Sequence, residues 1–361
     1  MIELERPESR AIGYLSPTSY EVGQACPLRL AFRQASPGRG GKRTPALRLG
    51  DACHHVLDRL VRHWLDKERT DWDAIVAQLW TEEIKQEAAD SERAGEFPLY
   101  GPPERWSAYQ LKRVRLVRVA RRLLSILDEL PAEAKIHPEH ELVAFDGKLR
   151  GRIDLFIEHP ASHRLIDYKS GTAIDRQTLD VRVSYAHQLQ LYAVLVWQNF
   201  GEWPVSAQLI PLEGPPVNIA LEENSCRAIA EAAQRLFDDF NVSVPVAPAY
   251  PGVSNCPVCS YSARCSVLWA ELDTSWAQDL LAVRGTVSKV TRTPLGGTSI
   301  LVDMTDGSME GPTVVIRNID EIAHPDSVRA ELGRELVAMG LQSEPDQGSH
   351  RLGPTGILRI G

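Results

Sequence analysis

The stretch GRIDLFIEHPASHRLIDYKSG, residues 151–171, constrains the fold of this chain more than any other segment. Two runs rich in Ile, Leu, Phe and Tyr flank His-Pro-Ala-Ser, and this pattern predicts an antiparallel β-hairpin. If residues 159–162 form the loop, Asp154 lies opposite Asp167. Directly opposed side chains have their Cβ atoms roughly 5 Å apart, so the predicted hairpin brings two carboxylates together.

The same hairpin carries an amine beside the two acids. Side chains alternate between the faces of a strand, so Asp167 and Lys169 share a face. One interpretation is the solvated face of an edge hairpin. Because opposed carboxylates destabilise a strand pair unless a cation offsets their repulsion, the pattern also predicts a divalent metal site.

Length and composition limit the classes of protein to consider. A chain of 361 residues predicts one to three domains, and 43% apolar and 24% charged residues are typical of globular proteins. We find no run of 18 apolar residues and no signal peptide in MIELERPESR, and therefore expect a cytoplasmic protein without a membrane segment. The net charge of −8 means that nucleic-acid binding would need a local basic patch.

Two basic runs are candidates for such a patch. The segment LKRVRLVRVARR, residues 111–122, has the spacing of a helix with an apolar stripe at Leu111, Val114 and Val117. Its basic stripe consists of Lys112, Arg115, Arg118 and Arg122. We expect either a solvated face or a surface that binds phosphates.

The second basic run, PGRGGKRTP at residues 37–45, looks like a phosphate-binding loop but does not fit the pattern of one. Ser36 stands where the pattern has Gly, and Arg43 stands where Ser or Thr follows the Lys. We therefore expect no ATP-driven motor here, and the run is either a solvated loop or a phosphate contact.

Cysteines form the second strong pattern. The six are Cys26, Cys53, Cys226, Cys256, Cys259 and Cys265. The last three lie close together in NCPVCSYSARCSV, which in a reducing compartment favours a metal site over disulfides. Zinc and iron–sulfur sites need four ligands, and Cys26, before a Pro at the end of a short helix predicted from TSYE, is the best candidate for the fourth. We expect Cys53 and Cys226 to be packing residues.

Two further segments have the pattern of helices with polar side chains on one face. LGDACHHVLDRL, residues 49–60, contains His54, and YAHQLQLYAVLV, residues 185–196, contains Gln188 and Tyr192 one turn apart. Each of these features alone is typical of structural residues. Their order along the chain is what makes them informative about function.

After about residue 275 the pattern changes to alternating, β-rich runs. VRGTVSKV, TSILVDMT and PTVVIRNI predict strands of a small barrel such as an OB fold. The segment is net acidic and offers no aromatic platform beyond Trp276, so we expect a docking or structural module, with single-strand binding as the alternative. GRELVAMG, residues 333–340, predicts a helix.

The order of these motifs resembles the RecB-like branch of the PD-(D/E)XK nuclease superfamily in its iron–sulfur form. The resemblance covers about residues 15–270 and rests on G-x3-H-x2-L, GRID, D-x-K-S-G, Q-x3-Y and the one-plus-three cysteines. This branch includes CRISPR-associated RecB-type exonucleases and the AddB nuclease domain. The resemblance implies an α/β fold with a restriction-endonuclease-like core, which is a central mixed sheet flanked by helices. We expect that domain over residues 1–270, with a helical insertion at 60–135, and a β-rich, OB-like domain over 275–361.

The resemblance also implies a role for each motif. The ligands of Mg²⁺ or Mn²⁺ would be His54, Asp154, Asp167 and the backbone carbonyl of Tyr168. Lys169 would position or deprotonate the attacking water or stabilise the charge at phosphorus, while Gln188 and Tyr192 would orient DNA and the lysine. A 4Fe–4S cluster would be held by Cys26, Cys256, Cys259 and Cys265.

We therefore expect a metal-dependent DNA nuclease, an exonuclease on single strands or ends, in repair or recombination, CRISPR adaptation or phage defence. Because the motor motif is missing, a helicase would be a separate partner chain. The main alternative is a non-catalytic iron–sulfur subunit that binds DNA ends and recruits a helicase, against which the complete set of candidate active-site residues argues. A zinc-stapled nuclease that processes RNA is the third interpretation.

Overall fold

The computed structural model of the chain contains two compact units. It describes residues 2–35, 44–66, 71–94, 101–160, 162–175, 178–292, 297–321, 324–344 and 348–361. The sheet unit consists of Ala11–Glu21 and Arg43–Val242, and the barrel unit consists of Met1–Arg10, Val22–Lys42 and Ser243–Gly361. Most of the basic run predicted at residues 37–45 lies outside the described residues.

A five-stranded mixed sheet forms the centre of the sheet unit, in the order β1-β2-β3-β4-β5. Its strands are β1 (Lys135–Ala144), β2 (Leu149–Glu158), β3 (Arg164–Thr172), β4 (Ser206–Glu213) and β5 (Val217–Ile219). β3 and β4 are parallel, and all other neighbours are antiparallel. A parallel pair needs a long crossover, and here the crossover contains a helix of 18 residues.

The hairpin predicted from residues 151–171 is present as β2 and β3. Leu155 pairs with Ile166, and Ile157 pairs with Arg164. In this register Asp154 lies opposite Asp167, so the predicted hairpin and its register are confirmed.

Helices cover both faces of this sheet. One layer consists of α3 (Pro45–Leu65), α4 (Trp72–Arg93) and α5 (Tyr109–Asp128), and the other of α6 (Val183–Phe200) and α7 (Glu223–Val242). Leu155 and Ile157 of β2 pack with the first layer. Phe156 points the opposite way, since strand side chains alternate, and its ring lies 5.0 Å from that of Phe200 in α6. The predicted α/β fold with a mixed sheet flanked by helices is confirmed.

Local capping explains where several helices begin. Thr44 Oγ1 accepts a hydrogen bond from the Leu47 N–H at the start of α3, and Asp71 does the same for the first turn of α4. The short helices α1 (Pro17–Ala25) and α2 (Pro27–Ala35) meet at Cys26. Ser16 Oγ accepts from the Ser19 N–H at 3.1 Å, and α1 begins one residue before the predicted start at TSYE.

A closed barrel with the strand order β10-β8-β7-β6-β9 dominates the barrel unit. The strands are β6 (Ala282–Arg292), β7 (Gly297–Gly307), β8 (Thr313–Asp320), β9 (Glu335–Glu344) and β10 (Ser349–Ile360). β8 and β10 are parallel, and the other neighbours are antiparallel. Five strands closed in this order have the Greek-key arrangement of an OB fold, as the sequence predicted.

The helix predicted at residues 333–340 is wrong, because this segment belongs to β9. Leu336 and Ala338 pack inside the barrel. Val337 and Met339 point outward and are also buried, in a second core that contains Trp269. With both faces covered, four consecutive positions are apolar and the alternation that would identify a strand is lost.

The second core joins the barrel to the segment that carries three of the cysteines. Besides the two residues of β9 it contains Ala263, Leu268 and Leu272, the last two around the short helix α8 (Ser266–Glu271). The compact units thus divide the chain differently from the predicted domains at residues 1–270 and 275–361, whose limits as independent domains stay a prediction. None of the described helices is long and apolar enough to cross a membrane.

Candidate active site and cysteine cavity

The charged residues of the β2–β3 hairpin meet where the sequence predicts. The Tyr168 N–H donates a hydrogen bond to Asp154 Oδ2 at 2.7 Å. Lys169 Nζ lies 2.6 Å from Asp167 Oδ2, and the Asp167 side chain is only 1% exposed. The hairpin therefore holds a buried acid, a second acid and an ammonium group at one point of the sheet.

The groups around Asp167 do not fully stabilise the charge of its buried carboxylate. Burial and then the charge of Asp154 raise the pKa of Asp167 to about 7, and Lys169 offsets this only in part. Burial, the largest single effect, lowers the pKa of His54, but hydrogen bonding to Asp154 and the charges of both acids together outweigh it and raise this pKa. A further cation at this point would favour the charged form of both carboxylates.

Helix α6 holds the ammonium group of Lys169 in place. Lys169 Nζ donates to Gln188 Oε1 at 2.8 Å, and Gln188 Nε2 donates to the Tyr192 hydroxyl at 3.0 Å. That hydroxyl in turn donates to the carbonyl of Arg152 on β2 at 2.8 Å. Lys169 Nζ also lies 4.5 Å from the centre of the Tyr185 ring. The predicted Gln–Tyr pair thus links the lysine to the backbone of β2.

Helix α3 brings His54 to the same point. Its Nδ1 lies 3.4 Å from Asp154 Oδ2. Gly50, one turn earlier, lies against β3, and a Cβ atom there would be 2.9 Å from Ser170 Oγ. The Gly lets α3 approach the strand closely enough for His54 to reach the acid, which gives a physical reason for the G-x3-H spacing.

Gly151 has a similar role between β2 and α6. A Cβ atom at this position would lie 2.7 Å from Leu195 Cδ1 and 2.9 Å from Tyr192 Cε1. We expect Gly151→Ala to displace Tyr192 and to lower the free energy of unfolding by about 1–3 kcal/mol, measured by chemical denaturation. Gly13→Ala is the matched control, since no atom lies within 4 Å of its added methyl group. Equal stabilities of the two variants would contradict this account.

A set of charged pairs lies beside the acids and was not predicted from the sequence. One cavity, the site cavity, contains His54 and Asp154 and also three arginines, each paired with a carboxylate. The pairs are Arg62–Asp58 at 2.9 Å, Arg150–Glu141 at 2.6 Å and Arg152–Glu139 at 2.8 Å. The signal that could have revealed the last two is the alternation E-x-E in β1 and R-x-R-x-D in β2, once the strands are paired.

The predicted basic stripe of α5 lies mainly against the sheet. Lys112 Nζ donates to the Ser170 carbonyl at 3.0 Å, and an N–H of Arg118 donates to the Leu212 carbonyl at 3.0 Å. Arg115 forms an ion pair with Glu213, and Arg122 is half-buried. These contacts give three of the four residues a structural partner, and their binding to DNA stays a prediction.

The apolar stripe predicted on the same helix faces the core only at Val117, which is partly buried against it. Leu111 and Val114 are 49% and 69% exposed, whereas Leu116 and Val119 are buried. The spacing identified the helix correctly, but it could not tell which of two similar stripes is covered.

All four cysteines of the predicted cluster line one cavity in the barrel unit, here called the cysteine cavity. The Tyr250 N–H donates to Cys26 Sγ at 3.5 Å, and the Gly252 N–H donates to Cys256 Sγ at 3.4 Å. Burial, with a smaller contribution from the other three thiols, raises the pKa of Cys256 to about 11. Cys53 and Cys226 are buried in the sheet unit, which agrees with the packing role predicted for them.

Neither set of candidate ligands converges on a single ion as it stands. Among the residues that the structure describes, no three His, Cys, Asp or Glu side chains are placed to ligate one metal ion. This arrangement does not argue against Mg²⁺ at the hairpin, because Mg²⁺ keeps several waters and usually takes only one or two protein carboxylates.

The central mixed sheet flanked by helices has the arrangement of a restriction-endonuclease-like fold. The sequence profile described as the PD-(D/E)XK nuclease superfamily matches residues 14–266. The chain belongs to the PD-(D/E)XK nuclease superfamily. Its members are hydrolases that generally use Mg²⁺ or Mn²⁺.

Other comparisons add little to this assignment. A solved structure titled "Crystal structure of SSO0001" aligns with 72% of this chain and 89% of its own length, at 17% sequence identity and a TM-score of 0.27. No curated protein matches the chain significantly.

Proposed function

We propose that this chain is a metal-dependent deoxyribonuclease of the RecB-like branch, and that it cleaves single-stranded DNA or DNA ends as an exonuclease. The observation that carries the proposal is the meeting of Asp154, Asp167 and Lys169 beside a cavity with exposed arginines. Membership of a nuclease superfamily supports the hydrolysis of phosphodiester bonds. A separate helicase, or another protein of repair, CRISPR adaptation or phage defence, is the partner that we expect.

The donor set suits a hard cation. Carboxylate oxygens of Asp154 and Asp167, the Tyr168 carbonyl and His54 would hold Mg²⁺ or Mn²⁺. A cation there would stabilise the charged form of Asp167, whose pKa is raised by burial and by the charge of Asp154. When bound, such an ion supplies a nucleophilic water near neutral pH and offsets charge on the phosphate.

In this proposal, the ammonium group of Lys169 stabilises negative charge on the reacting phosphate. Asp167 and Gln188 take two of its contacts, and its side chain is only 12% exposed. A fixed ammonium in a partly water-excluded site stabilises negative charge as it develops on the phosphate oxygens, without reorientation during the reaction. Gln188 and Tyr192 maintain this position through their hydrogen bonds to the lysine and to β2.

We further infer that the cysteine cavity holds a 4Fe–4S cluster. Four cysteine thiolates can hold a 4Fe–4S cluster, and the four predicted ligands line a single cavity. Backbone N–H groups point at the sulfurs, among them those of Tyr250 and Gly252. Burial raises the pKa of Cys259, and hydrogen bonding to the Tyr261 backbone and then the charge of Arg29 offset this in part. Such donors and charges stabilise the negative charge of a thiolate-ligated cluster. The hydrolysis needs no electron transfer, so the proposed cluster is structural.

Digestion of end-labelled DNA by anaerobically purified protein tests the proposed activity. With Mn²⁺, we expect single-stranded oligonucleotides labelled at the 5′ or the 3′ end to be degraded, and the pattern of products to reveal the polarity. Asp154→Ala should be inactive. If the wild-type protein binds DNA ends but cleaves neither DNA nor RNA, the chain is a non-catalytic subunit. Cleavage of RNA alone would overturn the proposed substrate.

A further inference from the structure

We propose that Arg152, Arg150 and Tyr14 form a track for an extended single strand beside the scissile phosphate. Glu139 and Glu141 hold the arginines when no strand is bound and thereby limit its affinity. This inference rests on the proposed nuclease function and extends it to side chains to which no role has been assigned above.

The track follows from the geometry of β2. Alternate positions of β2 are occupied by Arg150, Arg152 and Asp154, so their side chains lie on one face of the strand. Successive members of such a row are roughly 6.6–6.8 Å apart. All three line the site cavity. A backbone whose scissile phosphate lies at Asp154 can therefore place its next phosphates at Arg152 and Arg150.

Both arginines are accessible and held by exchangeable partners. Their side chains are 43% exposed for Arg150 and 68% for Arg152. Each pairs diagonally across the β1–β2 ladder, in which Arg152 lies directly opposite Glu141. The Arg150–Glu141 pair is exposed on both sides, and an exposed pair of this kind contributes little stability. A guanidinium can therefore leave its carboxylate for a phosphate, which it binds through two parallel hydrogen bonds.

Glu139, which pairs with Arg152, has an unusual backbone conformation for a strand residue. Its φ is +49°, in the left-handed region that non-glycine residues rarely occupy within a strand. It lies between Pro138 and His140, whose partners on β2 are Leu155 and Ile153. Glu139 therefore lies opposite Asp154 on the neighbouring strand. Its carboxylate forms an ion pair with Arg152 at 2.8 Å. Such strain persists where the surrounding structure imposes it and is frequent at functional sites.

Tyr14 offers a stacking surface at the far end of the track. Its side chain is among the exposed aromatics, at 49%, and it lines the same cavity. The guanidinium carbon of Arg150 lies 5.3 Å from the centre of the Tyr14 ring. An exposed ring next to a phosphate-binding cation is the combination that binds unpaired bases without sequence preference. Bases in a duplex are already stacked on their neighbours, so this feature favours a single strand.

Binding measurements on a cleavage-deficient background test the arginines. In Asp167→Asn protein, the double change Arg150→Gln and Arg152→Gln should weaken binding of oligo(dT) by tenfold or more. It should also reduce the salt slope by about 1.4, at about 0.7 per phosphate contact for single strands. Glu141→Gln should strengthen binding about threefold, because it releases Arg150. Arg121→Gln is the control, since this exposed arginine pairs with Asp73 outside the site cavity and should leave both quantities unchanged.

A second pair of probes tests the stacking surface. Tyr14→Ala should weaken binding of oligo(dT) about tenfold but leave unchanged the binding of an abasic oligonucleotide of equal length. Tyr14→Phe should bind both as the parent does. Equal losses on both probes would overturn the stacking role, and an equal loss on blunt duplex would overturn the single-strand assignment.

The outcomes separate the track from the nuclease proposal. If wild-type protein cleaves DNA but the arginine and Tyr14 variants bind as the parent does, the track is wrong and the nuclease proposal stands. If the wild-type protein cleaves no nucleic acid with Mg²⁺ or Mn²⁺, the nuclease proposal itself fails.

Discussion

Asp167→Asn should abolish DNA cleavage and leave DNA binding nearly intact. The change keeps the shape of the buried side chain but removes the charge that would hold a cation opposite Asp154. Metal assistance of this kind supplies several kcal/mol of transition-state stabilisation, so we expect a loss of about 10³-fold or more. Single-turnover cleavage of labelled single-stranded DNA and fluorescence anisotropy measure the two properties separately.

Two treatments complete this experiment. EDTA should have the same effect as the substitution, and cleavage that persists in EDTA would refute the metal-dependent mechanism. Lys169→Ala should lose cleavage without losing Mn²⁺ binding, because an ammonium group is not a ligand. Asp238→Asn, an exposed acid paired with Lys148, is the matched control and should cleave at the rate of the parent.

Cys26→Ala should remove both the colour and a large part of the thermal stability. Protein purified without oxygen should be brown and contain about four irons per chain, and the variant should lose them. Cys26 lies 230 residues before Cys256 in the chain, and closing a long loop restricts the unfolded state strongly. Taking a cross-link as worth about 2–4 kcal/mol, at 2–4 °C per kcal/mol, we expect Tm to fall by about 5–15 °C.

Controls for the cluster come from the two remaining cysteines. Cys53→Ala and Cys226→Ala should keep the colour, because both thiols are buried in the sheet unit. Colour retained in Cys26→Ala would mean that another residue is the fourth ligand. A colourless wild-type protein with one zinc would overturn the cluster and leave the nuclease proposal standing.

The hairpin could be predicted from sequence because its signals are local. His-Pro-Ala-Ser fixes the loop, and a loop of known length fixes which residues oppose each other. The opposition of Asp154 and Asp167 therefore follows from the loop length alone, without any tertiary contact. The spacing of Gln188 and Tyr192 was informative for the same reason, since one helical turn places them side by side.

Features that depend on what covers a surface could not be predicted. β9 reads as a helix because the barrel interior covers one of its faces and the second core covers the other. On α5, the spacing of Lys112 and Arg118 shows a stripe, but only the fold shows that this stripe meets the backbone of β3 and β4.

The charged pairs of the site cavity were missed for a third reason. Arg150 and Glu141 are nine residues apart, on strands whose pairing sets their contact. Tyr14 lies more than 130 residues before Arg150. Neither the Arg150–Glu141 contact nor the Arg150–Tyr14 contact has a local sequence signature. The alternating charges of β1 and β2 become informative only once the two strands are paired.

The core shared by β9 and the cysteine segment has a consequence for dissecting the protein. A fragment cut between residues 272 and 280 would leave Leu268 and Trp269 without the covering side chains of Val337 and Met339. Both pieces would then expose apolar surface, each Å² at a cost of about 25 cal/mol, and we expect both to aggregate. The barrel therefore cannot be exchanged on its own, and transplanting it to another protein would require residues 252–361 together with α2 and Cys26 directly before it.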